Sequence, residues 1–385
     1  MTGPLLIERI EARILDIPTI RPHKLSFGAI SRQSPVIVQL WLANGATGFG
    51  EAATIGGPSW NEESPESIQH AIEAYLAPAL IGQDGCRIEA ALARMDAWCK
   101  GNAFAKSAVE MALIDAVARS LGVPAWQLLG GKRHESLPLA WTLASGHIER
   151  DIEEAHLRLE QKRHRIFKMK IGARRPADDV AHVSEIARSL QGKATLTVDV
   201  NQAWSLTDAR YGARGLQEIG CVLIEQPVAR DKLAALKTLT DGYEIAIMAD
   251  EVLQGPADAM RVAANRSADV FAVKVCQSGG LKPAADVIAI ARAAGIDLYG
   301  GTMLESGLGT AAAIQLFATV PEWHFGTEMF GPLLLRDEIL AEPLEYKDFS
   351  VTVPQGPGIG VSLDDDKVNF YRRDRTVSAK VVAGE

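Results

Sequence analysis

At 385 residues the chain is too long for one ordinary core and calls for two domains, or one barrel with additions. Hydrophobic residues make up 47% and charged residues 23%, a globular balance that leaves little room for disorder. The formal net charge of -8 argues against nucleic acid or an anionic membrane as partner, and four widely spaced cysteines without a CxxC pair read as reduced cytosolic thiols.

Met1-Thr2-Gly3-Pro4 leads straight into Glu8, Arg9, Glu11 and Arg13, so no apolar signal-peptide core is expected and the default location is the cytoplasm. Ile10, Ala12 and Ile14 alternate with Glu11 and Arg13, a strand signal. Residues 36–43 and 46–51 flank Asn44-Gly45, which predicts a hairpin. Ser64-Pro65 supplies an N-cap and a first-turn proline for a helix carrying Ile68, Ile72, Tyr75 and Leu76. Two more helices are expected at 88–98 and about 106–121, the last stopped by Gly122. Residues 1–133 thus read as a small α+β capping domain.

From residue 137 the rhythm becomes strand, loop, helix. Short apolar or β-branched runs fall at 139–143, 166–171, 196–200, 222–225, 245–248, 270–275 and 296–299, with a weaker one at 323–327. Eight strands separated by amphipathic segments predict an α/β fold, a closed (β/α)-barrel over 134–340. The segment 341–385 looks irregular and is expected to return to the capping domain.

Barrel enzymes keep their chemistry at the C-terminal ends of the strands. There the sequence places Lys168 and Lys170, Asp199 and Asn201, Glu225, Asp250-Glu251, Lys274 and Glu328. A lone aspartate at such a position is more often the N-cap of the next helix, and a lone lysine a solvated charge. Spacings of 24 to 29 residues between Lys170, Asp199, Glu225, Asp250 and Lys274, however, put one group on each of five successive strands. Three facing carboxylates repel unless a cation lies between them, and oxygen ligands on rigid strands suit Mg²⁺ or Mn²⁺. Beside such an ion the lysine pKa values should fall, giving the acid/base that enolate chemistry next to a carboxylate requires.

The pattern resembles the enolase superfamily, in its muconate-lactonising subgroup, over essentially the full length. Lys168 and Lys170 match its lysine-any-lysine motif, Asp199, Glu225 and Asp250 its metal ligands, and Lys274 its opposite lysine. Strings similar to the subgroup are Thr19-Ile20-Arg21-Pro22-His23-Lys24, Thr54-Ile55-Gly56-Gly57, Gly301-Thr302-Met303-Leu304-Glu305 and Thr327-Glu328-Met329-Phe330-Gly331-Pro332-Leu333. The resemblance implies conversion of cis,cis-muconate, a small dicarboxylate, to muconolactone in aromatic catabolism, with Mn²⁺ or Mg²⁺, by a homo-oligomer that is octameric in relatives. In syn-acting relatives the second lysine of the pair delivers the proton, which assigns that role to Lys170. Lys168 and Lys274 would supply positive charge, Glu328 a supporting carboxylate, and Asn201 and Phe330 part of the substrate pocket. Ile55 and Trp60 would lie in the loop that covers the substrate. Close muconate enzymes often carry tyrosine where Trp60 stands, so this residue either alters the fit, admitting chlorinated muconates, or merely packs the loop.

Within the superfamily, a chloromuconate cycloisomerase, an N-acylamino-acid or dipeptide racemase and an o-succinylbenzoate synthase share the lysines and ligands. Dipeptide epimerases commonly show Asp-any-Asp on the last strand, where this chain reads Gly326-Thr327-Glu328. Mandelate-type racemases usually place a histidine on the seventh strand, and none of the eight histidines falls near 299–304. A barrel that had kept its fold and lost the reaction should lack a lysine or a ligand, and all are present.

Overall fold

The structure is a computed structural model that describes residues 5–25 and 28–375. Side chains at 23–25 lie outside that description, including His23 and Lys24, as do residues 1–4 and 376–385 at the ends of the first and last predicted segments. Five strands come first: β1 (Ile7–Ile14), β2 (Ile17–Leu25), β3 (Gly28–Gln33), β4 (Val36–Leu42) and β5 (Thr47–Ala52). β1, β4 and β5 form an antiparallel sheet, and β2 and β3 form a separate two-stranded one, with Thr19 of β2 also bridging Leu335. The β4–β5 hairpin turns at Asn44-Gly45, with Gly45 at φ 86° and the Asn44 side chain accepting from Ala46 N at 3.1 Å. The β2–β3 hairpin escapes the sequence pattern because β2 carries Pro18 and Pro22 and β3 is mostly exposed, so neither alternates.

Ser64 caps helix Pro65–Ala71, its hydroxyl accepting from Ser67 N. Helix Ile88–Trp98 has its expected bounds. The next, Ala103–Leu121, starts three residues earlier than its spacing suggests, because the Glu63 carboxylate accepts from Phe104 N and Ala105 N at 3.0 and 3.2 Å. This cap comes from forty residues upstream, where no local pattern reveals it. The helix lies directly on β5: a Cβ at Gly50 would stand 2.0 Å from Ala108 O, and one at Gly48 2.1 Å from Ala112 O. Only glycine permits that approach.

β6 (Ser136–Pro138) leads into the barrel strands β7 (Ala140–Leu143), β8 (Ile166–Lys170), β9 (Thr195–Asp199), β10 (Leu223–Glu225), β11 (Ala246–Ala249), β12 (Val270–Val273) and β13 (Asp297–Gly300). These seven are parallel and neighbour one another in chain order. The expected eighth strand shrinks to one bridging residue: Thr327 pairs with Leu139 on one side and Gly300 on the other. Bonds from Ala140 N to Thr327 O (2.8 Å) and from Glu328 N to Gly300 O (2.7 Å) close the ring. Gly326, at φ 88°, turns the chain into this contact.

Period-two alternation then sorts the barrel interior by height. Ile166, Lys168 and Lys170 share one face of β8, as do Leu223 and Glu225 on β10. Ala140, Leu223, Met248, Val270, Ala272 and Tyr299 form a buried apolar floor. The next inward positions toward the C-terminal ends are the charged ones.

The capping domain is pinned to the barrel by buried carboxylates. Glu110 accepts from Leu281 N and Lys282 N, both at 2.8 Å, at the start of helix Leu281–Ala294. Glu51 accepts from Ser306 N and Gly309 N, both at 2.8 Å, and from the Ser306 hydroxyl, at the start of helix Gly307–Phe317. The last segment is more ordered than expected, with β14 (Tyr346–Lys347), β15 (Ser350–Thr352) and helix Asp365–Tyr371. Strands of two and three residues are too short to show a period. β15 pairs with β6, while Asp16 N donates to Tyr371 O and Arg373 grips the Asp16 carboxylate. Among the described residues no helix is long and apolar enough to cross a membrane.

Candidate active site

β8 presents two amines to one mouth. Lys168 Nζ donates to Glu225 Oε2 and Glu328 Oε2, both at 2.6 Å, and stands 3.7 Å from Asp199 Oδ2. Lys170 Nζ donates to Asp199 Oδ2 at 2.5 Å and Asn201 Oδ1 at 3.0 Å. Register explains the closeness, since Lys170 pairs with Asp199 across β8–β9 and Asp199 with Glu225 across β9–β10. Lys274, directly after β12, donates to Asp250 Oδ2 at 2.6 Å. Lys168, Lys170, Asp199, Asn201, Glu225 and Glu328 therefore form one hydrogen-bonded set, with the Asp250–Lys274 pair beside it.

Several members of this centre went unassigned in the sequence. Gln226 is buried at φ 34°, and its side-chain oxygen accepts from Asp250 N (2.9 Å) and Val252 N (3.3 Å), tying the β10 and β11 ends together. Gln277 donates to the carbonyls of Asp250 and Leu253. Thr142 donates to Glu328 Oε1 at 3.0 Å, and Glu251 accepts from Asn201 Nδ2 at 3.2 Å. Asn201 and Gln202 also sit at positive φ, 44° and 68°. Left-handed residues immediately after two carboxylate-bearing strands mark a backbone held against its preference. The sequence places Glu251 on the rim without giving it a role, and adjacency to Glu225 could have flagged Gln226; Gln277 and Thr142 carry no signal until the strands are in place.

The electrostatics are lopsided. Five buried carboxylates (Asp199, Glu225, Asp250, Glu251 and Glu328) face three amines, a formal excess of two negative charges. Burial and the neighbouring Asp199 push Glu225 well above the usual carboxylate range, and burial with Asp250 and Asp199 raises Glu251 to about 8. Asp199 goes the other way: burial would raise it, but Lys170 and Lys168 bring it down to about 2. For Lys168, burial favours the neutral amine, yet Glu225 and Glu328 outweigh it and hold its pKa well up; Asp250 does the same for Lys274. The expected fall in these two lysine pKa values is thus not a property of the protein groups alone, because each amine faces carboxylates more closely than it faces another amine.

Among the described residues, no three His, Cys, Asp or Glu side chains already surround a common point as a metal cage. Asp199 and Glu225 converge instead on Lys168, and Asp250 on Lys274. The donor set nevertheless fits a hard divalent cation. Its charge equals the carboxylate excess, and Asp250 Oδ1 and Glu251 Oε2 are buried acceptors without a hydrogen-bond partner.

The loop after β5 covers this centre. Ile55 is buried, Gly56 and Gly57 take positive φ, and the half-buried Trp60 ring lies with its centroid 5.3 Å from Lys274 Nζ. Glu62 pairs with Arg230, which follows β10, at 2.5 Å. The Phe330 ring is buried, 5.2 Å from Trp141, and its N–H donates to Glu328 O. Cys276 is buried at the domain contact, bonded to Glu51 O.

Known proteins resemble this chain over nearly its full length. Residues 150–367 match the enolase C-terminal domain-like family, and residues 9–130 match the N-terminal domain of the mandelate racemase/muconate lactonizing enzyme family. The chain is 53% identical over 378 residues to muconate cycloisomerase 1-2 of Acinetobacter lwoffii, covering 98% of each. It is 47% identical to the chloromuconate cycloisomerase of Cupriavidus pinatubonensis, covering 95% of this chain and 99% of that one. The crystal structure of muconate lactonizing enzyme from Pseudomonas fluorescens complexed with muconolactone superposes with a TM-score of 0.95 at 47% identity, covering 96% of this chain and all of that one. Enzymes of the superfamily use a divalent metal, typically Mg²⁺ or Mn²⁺. This chain belongs to the mandelate racemase/muconate lactonizing enzyme family of the enolase superfamily.

Proposed function

We propose that this isomerase lactonises cis,cis-muconate to muconolactone, with Asp199, Glu225 and Asp250 as ligands of Mn²⁺ or Mg²⁺ and Lys170 as the proton donor. Full-length similarity to muconate cycloisomerases supports the substrate. The observation that carries the proton assignment is exposure: the Lys170 side chain is 12% accessible, against 3% for Lys168 and 4% for Lys274. Lys170 is the amine an incoming molecule can reach.

In the reaction, one substrate carboxylate oxygen forms a C–O bond to the diene, and the displaced electron pair moves toward the other carboxylate as an enolate. Asp199, Glu225 and Asp250 would hold a divalent cation, which would supply positive charge to that developing oxyanion. Lys168 and Lys274 add fixed positive charge on either side, and Glu328, through Lys168 and Thr142, holds Lys168 in place. Lys170 donates its proton to the α-carbon of the enolate, the carbon bearing that carboxylate, which quenches the enolate and leaves the lactone, and regains a proton from solvent. Trp60, Ile55 and the Gly56-Gly57 turn exclude water from above, with Asn201 and Phe330 on the walls. The resemblance extends this reading to a cytoplasmic homo-oligomer, for which size-exclusion chromatography with light scattering is the check.

The test is to mix the enzyme with Mn²⁺ and cis,cis-muconate and follow the ultraviolet absorbance of the diene. Loss of absorbance at catalytic enzyme concentration is expected; none at high enzyme concentration would overturn the reading. Chloromuconates in the same assay rank the two substrate classes, since chloromuconate enzymes also align over the full chain.

A further inference from the structure

Away from the amines, one carboxylate is shared by a hairpin of the capping domain and by the barrel wall. Glu154, on helix Ile148–Glu160, accepts from Arg21 Nη2 with both oxygens at 3.2 Å. Its Oε1 also accepts from the indole N–H of Trp141 at 3.0 Å. Arg21 belongs to β2 of the β2–β3 hairpin, which joins no larger sheet among the described residues and is otherwise tied by the Thr19–Leu335 bridge and the bond from Arg336 N to Pro18 O at 2.8 Å. Trp141 is wholly buried on β7, between the Arg158 guanidinium on one face, 4.1 Å from the ring, and the Phe330 ring at 5.2 Å.

Two of the residues that Trp141 adjoins reach the chemistry. Phe330 N donates to Glu328 O, and Thr142, next in sequence to Trp141, donates to the Glu328 carboxylate that holds Lys168. We infer that Glu154 and Trp141 are positioning residues for the Phe330 wall, and that the Arg21–Glu154 ion pair is a clasp coupling hairpin docking to substrate fit. The inference rests on the barrel mouth being the muconate site. The clasp is partly buried, with side chains 23% and 18% accessible, so its two charges are shielded from water more than those of a surface pair. The forked Arg21 contact fixes the carboxylate, the carboxylate fixes the indole, and the indole limits where Phe330 can move.

The experiment compares Arg21→Ala, Glu154→Gln and the double variant on cis,cis-muconate with Mn²⁺, alongside hydrogen exchange of the β2–β3 amides. Glu154→Gln keeps an acceptor for Trp141 and removes the charge. Each single variant should raise KM roughly ten-fold, the scale of one charge-assisted hydrogen bond, without lowering kcat. The double variant should be no worse than the worse single, and Arg21→Lys should recover part of the loss. Hairpin amides should exchange faster in Arg21→Ala. KM within two-fold of wild type in both singles, a fall in kcat alone, or effects that multiply in the double variant would each overturn the clasp. Wild-type enzyme inert toward muconate would instead overturn the functional reading, and the exchange data would still decide the clasp.

Discussion

Two side chains carry predictions of opposite kinds. Lys170 is the most accessible amine of the mouth and is tied to Asp199 and Asn201 rather than to the floor. Lys170→Ala should lower kcat by roughly 10²–10⁴, the usual contribution of a positioned general acid, with Mn²⁺ affinity by titration calorimetry nearly intact. Turnover comparable to wild type would show that the proton comes from elsewhere. His164 is structural: fully buried, its ring against Trp141, with neither ring nitrogen hydrogen-bonded. Burial first, then Arg158 and Arg163, depress its pKa to about 3. Between that value and about 6.5 the unfolded chain binds the proton and the folded one does not. The stability this histidine contributes is therefore present above pH 6.5 and lost as pH falls, by about 2 kcal/mol at pH 5. His164→Leu should flatten the acid side of the Tm–pH curve; an unchanged slope in thermal melts would refute the argument.

At the scale of elements, β5 and helix Ala103–Leu121 touch through glycine. Gly50→Ala would place a methyl 2.0 Å from the Ala108 carbonyl oxygen, a backbone atom that no rotamer can move. Overpacking commonly costs about 1–3 kcal/mol, and displacing a whole helix should reach or exceed that range. A melting temperature unchanged in Gly50→Ala would mean the two elements are more loosely packed than described. The same scale shows how well local pattern reports local structure. The Asn44-Gly45 hairpin, the Ser64 cap and helix Ile88–Trp98 follow from neighbouring residues alone. The β2–β3 hairpin and the start of helix Ala103–Leu121 do not, because prolines interrupt one and the cap of the other comes from Glu63.

Over the whole molecule, the capping domain and barrel meet through carboxylates buried at helix N-termini. Glu51 leads into the loop carrying Ile55 and Trp60, and its oxygens satisfy Ser306 N and Gly309 N. Glu51→Ala would bury both donors unpaired, at about 1–3 kcal/mol each. Lower stability in denaturant unfolding is expected together with a raised KM for muconate, since the covering loop would lose its anchor. Loss of stability with KM unchanged would confine Glu51 to a structural part.

The sequence by itself determined the barrel rhythm and the order of charged groups on its rim. Both depend on short-range periods, two along a strand and about 25 from strand to strand, which the chain displays directly. Only the tertiary structure decided what each charge does. Which amine meets which carboxylate, the shrinkage of the eighth strand to Thr327, and the hold of Gln226, Gln277 and Glu154 all depend on chain segments far apart in sequence. Hydrogen bonds and ion pairs act over a few ångströms of space, and until the barrel closes those distances do not exist.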